Sequence, residues 1–105
     1  MALELNLTEQ HGEHVIVASG EVDLYSSPAL RDAILKAVPK TAGKVAVDLR
    51  AVVYMDSSGV ATLVEGLKAA GAKQKTFVLL APSHAVMKVL QLSRLDSVFT
   101  IVEAL

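Results

Sequence analysis

A chain of 105 residues is long enough for one hydrophobic core and too short for two, so a single domain spanning residues 1–105 is expected. Ten basic residues against eleven acidic ones leave a formal charge of -1 with no Lys/Arg cluster or basic-aromatic stripe, which argues against a nucleic-acid partner. The absence of cysteine excludes disulfides, thiolate metal sites and a cysteine nucleophile.

The first residues, Met1-Ala2-Leu3-Glu4-Leu5-Asn6-Leu7, alternate apolar and polar side chains, the period of a strand with one wet face. That alternation is unlike a signal peptide, and no apolar run is long enough to span a bilayer. A soluble cytoplasmic protein without direct membrane insertion is therefore expected. His11-Gly12-Glu13 reads as a turn into a second strand, His14-Val15-Ile16-Val17-Ala18, completing a hairpin.

After Gly20, the segment Glu21-Val22-Asp23-Leu24-Tyr25-Ser26-Ser27-Pro28 predicts a helix start, because a serine stands directly before a proline suited to the first helical position. Leu30, Ala33, Ile34 and Ala37 share one face of that helix, and Asp32 and Lys36 are spaced to pair on the other. Val45-Ala46-Val47-Asp48-Leu49 and Thr76-Phe77-Val78-Leu79-Leu80 read as short interior strands covered by helices. Between them a helix from Ser58 to about Ala70 carries the apolar stripe Val60, Leu63, Val64 and Leu67, leaving Ala61, Thr62, Glu65, Lys68 and Ala69 as its outer surface. Leu63 and Leu67 are assigned to the core. Pro82-Ser83 predicts the start of a third helix with Val86, Met87, Val89 and Leu90 inward, and Val98-Phe99-Thr100-Ile101-Val102 reads as a last strand.

Alternating strands and helices after an opening hairpin predict an α/β domain, with a mixed, mostly parallel sheet of about five strands and three or more helices. The helix starts after the second and third strands should then meet at the strands' C-terminal edge, where open α/β sheets present functional loops, so Asp23 and Ser57 should be neighbours.

Tyr54-Met55-Asp56-Ser57-Ser58-Gly59-Val60 is the segment richest in chemistry, since it sets two hydroxyls and a carboxylate where a buried strand gives way to a helix. The first N–H groups of a helix lack intrahelical partners and its dipole favours negative charge, so a serine there can carry a phosphate. Asp56 or Ser57 can equally cap the helix, a role worth about 1 kcal/mol, and the local sequence by itself favours capping. Asp23 orients a partner or the serine loop in one reading and stabilises a turn in the other. The three histidines lack metal-site spacing, and Asp56-Ser57 has no obvious general base, so neither metal chemistry nor hydrolysis is indicated. Met55 and Met87 read as core fillers.

Gly20-Glu21-Val22-Asp23-Leu24-Tyr25-Ser26-Ser27-Pro28 and Tyr54-Met55-Asp56-Ser57-Ser58-Gly59-Val60, in this order and separation, resemble the STAS domain family, and within it the bacterial anti-sigma factor antagonists. The likeness covers nearly the whole chain and reverses the local preference for simple capping. It implies a partner-switching module, not an enzyme, that binds an anti-sigma factor with serine kinase activity and is released when Ser57 is phosphorylated. A PP2C-type phosphatase would reset the switch, and ATP would belong to the kinase, so no cofactor is implied for this chain. By the same resemblance Asp23, Asp56, Ser58 and Gly59 lie near the kinase's nucleotide site, and the helix after Gly59, with Val60, Thr62 and Glu65, supplies much of the contact surface. Two departures stand out. The chain continues Ser58-Gly59-Val60-Ala61 where antagonists commonly have Ser-Gly-Leu-Gly, and it has Gly71-Ala72 where a Gly-Gly pair is usual. The Gly-Val-Ala continuation is similar to the STAS subunits of lipid-transporting ABC permeases, so an accessory subunit of an ABC permease and ATPase ranks second. A structural domain whose serine only caps a helix ranks third.

Overall fold

The alternating N-terminal segment forms strand β1 (Leu3–Gln10), which turns through His11 and Gly12 into the antiparallel strand β2 (Glu13–Val22). Both turn residues have positive φ, 54° and 81°, the twist that lets a two-residue turn join strands without splaying them. In the computed structural model, which describes residues 2–105, there follow α1 (Ser27–Ala37), β3 (Lys44–Met55), α2 (Ser57–Ala72), β4 (Thr76–Leu80), α3 (His84–Leu92) and β5 (Thr100–Val102). The five strands form one sheet in chain order, and every pair after the opening hairpin is parallel. This is the predicted mixed α/β architecture with three helices.

Side-chain alternation sorts the sheet into two unequal faces. Ile16, Val47, Leu49 and Leu79 point into the main core, which they share with Leu30 and Ile34 of α1, Leu63 of α2, and Val86 and Leu90 of α3. On the other face Val15, Ala46, Val78 and Leu80 form a smaller cluster to which no helix contributes. The strands are thus covered by helices on one side only.

Several expectations are corrected. β3 runs for 12 residues instead of five, because beyond its pairing with β4 it continues alongside β2 as far as Met55. The last strand starts at Thr100, since a turn closed by the Val98 N–H on the Leu95 carbonyl leaves Val98 exposed and only residues 100–102 paired with β4. Among the described residues no ion pair joins Asp32 to Lys36; the helix-surface pair is Arg31 Nε with Glu65 Oε2 at 2.7 Å, which ties α1 to α2. Leu67 is only partly buried, whereas Leu63 has no exposed surface.

A glycine sets how closely α2 sits. A Cβ on Gly66 would lie 2.8 Å from Ile34 Cγ2 and from the ring of Phe77, so only glycine lets the helix press on α1 and β4 together. As the middle helix, α2 is buried at Gly59, Val60, Thr62, Leu63, Gly66 and Ala70, a wider arc than a single apolar stripe.

Candidate functional site

The ends of β2 and β3 fix the site. Val22 pairs with Met55, both side chains enter the core, and the loops that follow therefore begin side by side at Asp23 and Asp56. The Asp56 N–H donates to the Val22 carbonyl at 3.2 Å, tying the two loop bases together. Gly59 tightens the arrangement, because a Cβ there would stand 2.6 Å from Met55 Cγ and 2.9 Å from Val22 Cγ1. The first turn of α2 consequently rests on both strand ends, and the predicted proximity of Asp23 and Ser57 follows from strand register.

Asp56 is the N-cap of α2. Its backbone is extended, and its Oδ1 accepts from the Ser58 N–H at 3.0 Å and from the Ser58 hydroxyl at 2.5 Å. Ser57, the first helical residue, is exposed, and its hydroxyl makes no hydrogen bond among the described residues. The two adjacent serines are therefore chemically distinct: one hydroxyl is held by a carboxylate, the other is presented to solvent at the positive end of a helix dipole.

Asp23 organises the neighbouring loop. Its Oδ1 accepts from the N–H groups of Tyr25 and Ser26, both at 2.9 Å, while the Ser26 hydroxyl accepts from the Asp23 N–H and donates to the Glu21 carbonyl at 2.8 Å. That engagement explains why Ser26, although at the N-cap of α1, makes no side-chain capping bond. The turn-stabilising reading of Asp23 is thus what the hydrogen bonds display. The Ser26 N–H is the largest cause holding the carboxyl below the ordinary aspartate range; desolvation, the next largest effect, opposes it, and the Ser26 hydroxyl and the Tyr25 N–H add to the lowering. Because the folded value is depressed, the loop contact stabilises the fold above the ordinary aspartate range and is lost only as pH falls through the lowered value. The Tyr25 and Ser26 amide resonances are accordingly expected to hold steady as pH falls through the ordinary aspartate range and to move only below it. Asp23→Ala should displace both at neutral pH; an NMR titration in which the variant's amides match the parent's would contradict this role.

The structure brings Asp23, Asp56, Ser57 and Ser58 to one edge of the sheet and does not present all the other expected contact residues. Gly59, Val60 and Thr62 are buried, Thr62 at 5% exposure, so these side chains offer no outer surface; the expectation that Thr62 faces solvent is corrected. The cause is the position of α2 between its neighbours, which buries one flank as well as the face toward the sheet. Glu65 is exposed but held by Arg31. Sequence reasoning passed over Leu24, Tyr25, Val53 and Tyr54, exposed apolar residues that bracket the site's carboxylates. The available signal was apolar residues that the core periodicity did not use, Leu24 and Tyr25 in a loop and Val53 and Tyr54 at the end of β3.

Elsewhere, a groove of about 310 Å³ between α1 and the opening hairpin, lined by His14, Ile16, Ala33 and Lys36, includes none of the site residues. Among the described residues no group of three or more His, Asp or Glu side chains is arranged to hold a metal, and no helix is long and apolar enough to cross a membrane.

A family model described as "Mlab, STAS domain" matches residues 5–103. The anti-sigma-B factor antagonist of Listeria monocytogenes is 26% identical over 102 residues, covering 96% of this chain and 90% of that protein. Among solved structures, an anti-sigma factor antagonist from Mycobacterium paratuberculosis superimposes with a TM-score of 0.87 at 27% identity, covering 99% of this chain and 88% of the other. The anti-sigma factor antagonist SpoIIAA is similar in its unphosphorylated form (TM-score 0.78, 27% identity, 93% of this chain and 87% of that one). The Bacillus cell fate determinant SpoIIAA in its phosphorylated form gives a TM-score of 0.72 at 25% identity, covering 93% and 90%. With a family model matched over nearly its whole length and the same fold in the solved relatives, the chain belongs to the STAS domain family.

Proposed function

We propose that this protein is an anti-sigma factor antagonist, which binds an anti-sigma factor and so frees a sigma factor until Ser57 is phosphorylated. The observation that carries the reading is the exposed, unengaged Ser57 hydroxyl on the first residue of α2, in a chain whose whole-length relatives are antagonists. That SpoIIAA has been solved in unphosphorylated and phosphorylated forms supports a phosphate-controlled cycle for this chain too. The same relatives favour the antagonist over an accessory subunit of an ABC permease and ATPase.

The chain acts as a binding module and a substrate, not as an enzyme. A phosphate on Ser57 would bring about -1.5 to -2 charges and three acceptor oxygens to a helix end whose unpaired N–H groups suit an anion, so the fold tolerates it. The bound anti-sigma factor, acting as a serine kinase, would supply ATP, and a PP2C-type phosphatase would restore the hydroxyl. Such a cycle places the protein in the cytoplasm.

Incubation with the source organism's anti-sigma factor kinase and ATP, followed by peptide mass spectrometry, tests the acceptor. A single phosphate is expected on Ser57, lost in Ser57→Ala and kept in Ser58→Ala. Modification of Ser58, whose hydroxyl Asp56 already holds, would overturn the assignment.

A further inference from the structure

The groove between α1 and the opening hairpin combines an apolar floor with cations that pair with nothing in the chain. On β1, Leu3 and Leu5 pack against the main core, whereas Leu7, next on the same face, is 65% exposed; the groove begins where that cover ends. Ile16 continues the floor from β2. Ala33, Lys36 and Ala37 recur at the spacing of one face of α1, and Lys40 follows in the turn beyond it. The two alanines leave room beside the sheet. Both lysines are exposed, so their stems line the groove while their ammonium groups stand in water at its rim.

Neither ammonium group has an ion-pair partner among the described residues, and Asp32, one turn before Lys36, does not supply one. Lys36, in the last turn of α1, meets the negative end of the helix dipole, an exposed interaction that leaves it open to a stronger partner. Glu9, the carboxylate on the groove lining, is turned to His14, its Oε2 lying 3.5 Å from the imidazole Nε2. His14 Nδ1 is withdrawn from water with no hydrogen-bond partner. The lysine side of the groove is therefore an uncompensated positive rim beside an apolar floor.

We propose that this groove binds a single-chain anionic amphiphile, its carboxylate held by Lys36 and Lys40 and its hydrocarbon laid over Leu7, Ile16 and Ala33. A volume of about 310 Å³ lies at the lower end of the range usual for small-molecule sites, room for one short alkyl chain and not for the two tails of a bilayer lipid. Covering apolar surface that otherwise faces water supplies the affinity, and the lysines select the sign of the head group. The groove stands at the hairpin end of the sheet. β2 runs from His14 beside it to Val22 beside the Ser57 loop, roughly 25 Å at the rise of a strand. Occupancy leaves the Ser57 edge open, so the inference is independent of the antagonist reading.

Titration of the isotope-labelled chain with sodium octanoate below its micellar concentration, followed by NMR, tests this. The amide resonances of Leu7, His14, Ile16, Ala33 and Lys36 are expected to shift along one saturating curve while those of Asp23 and Ser57 stay fixed. Replacing both lysines, Lys36→Gln with Lys40→Gln, should weaken octanoate about fivefold, leave the weaker binding of octanol unchanged and leave the melting temperature unaltered, since both side chains are exposed. Leu7→Ser should weaken octanoate and octanol alike. The proposal is overturned by an absence of shifts, by shifts scattered over the surface or centred on the helix-free sheet face at Ala46 and Val78, or by equal affinity for octanoate, octanol and octyltrimethylammonium. Octanoate affinity that survives the double lysine substitution overturns it as well.

Discussion

Ser57→Asp is expected to weaken the complex with the anti-sigma factor more than a hundredfold while leaving the melting temperature unchanged or slightly raised. The two halves of this expectation have separate causes. Within the chain, the new carboxylate stands at the first position of α2, where a negative charge is favoured by roughly 0.3 to 1 kcal/mol, and the exposed side chain displaces nothing. In the complex, the same carboxylate would sit beside Asp56 in a contact that excludes water, and an unpaired buried charge costs on the order of 3 kcal/mol or more, which exceeds a hundredfold in affinity. Ser57→Ala should bind like the parent and resist modification. Calorimetric titration and a thermal melt on the three proteins decide the matter: undiminished affinity of the aspartate variant removes Ser57 from the interface, and a collapsed melt shows that the position is structural.

Leu63→Ala should be the most damaging of the simple truncations, costing about 2 to 5 kcal/mol through lost burial and the cavity left behind. Leu63 stands at the centre of α2 with no exposed surface, in the cluster that joins all three helices to the sheet. Close packing at Gly66, against Ile34 and Phe77, leaves the surrounding atoms little freedom to fill the gap. For a domain of this size a loss of about 3 kcal/mol corresponds to a fall of roughly 10 to 20 °C in melting temperature. Leu67→Ala, at a partly buried position, should cost clearly less. Urea titrations in which the two variants are equal, or in which Leu67→Ala is the weaker protein, would mean that α2 is rotated relative to the sheet.

The register of α2 also marks where the sequence was legible and where it was not. A carboxylate and two hydroxyls before a helical stripe locate the helix start only to within a residue: Asp56 and Ser57 were equal candidates for the cap with the helix expected from Ser58, and the capping bonds from Ser58 to Asp56 set its start at Ser57. The order of elements and the hairpin turn were equally plain, because each depends on neighbours in the chain, although Glu13, expected in the turn, already belongs to β2. Thr62 was misjudged for the opposite reason. A one-stripe reading assumes a helix with one buried face, whereas this helix is flanked on two sides, and the glycine that permits it acts on Ile34 and Phe77, far away in sequence. The Arg31–Glu65 pair is hidden in the same way, since it joins different helices. At the site, residue types revealed the carboxylates and hydroxyls, but which serine is free depends on an Asp56 geometry that spacing does not specify. Tyr25 and Tyr54 stand inside the two motif segments, but their exposure follows only from a core that is complete without them.

The contact of Gly59 with Val22 and Met55 has one more implication. Because no side chain separates the start of α2 from the strand ends, that corner has no room to rock, and a group attached to Ser57 must project outward instead of shifting the helix. Information written there would be carried wholly by covalent state, so the molecule would respond as fast as its modifying enzymes act and would retain no trace of the signal once the group was removed.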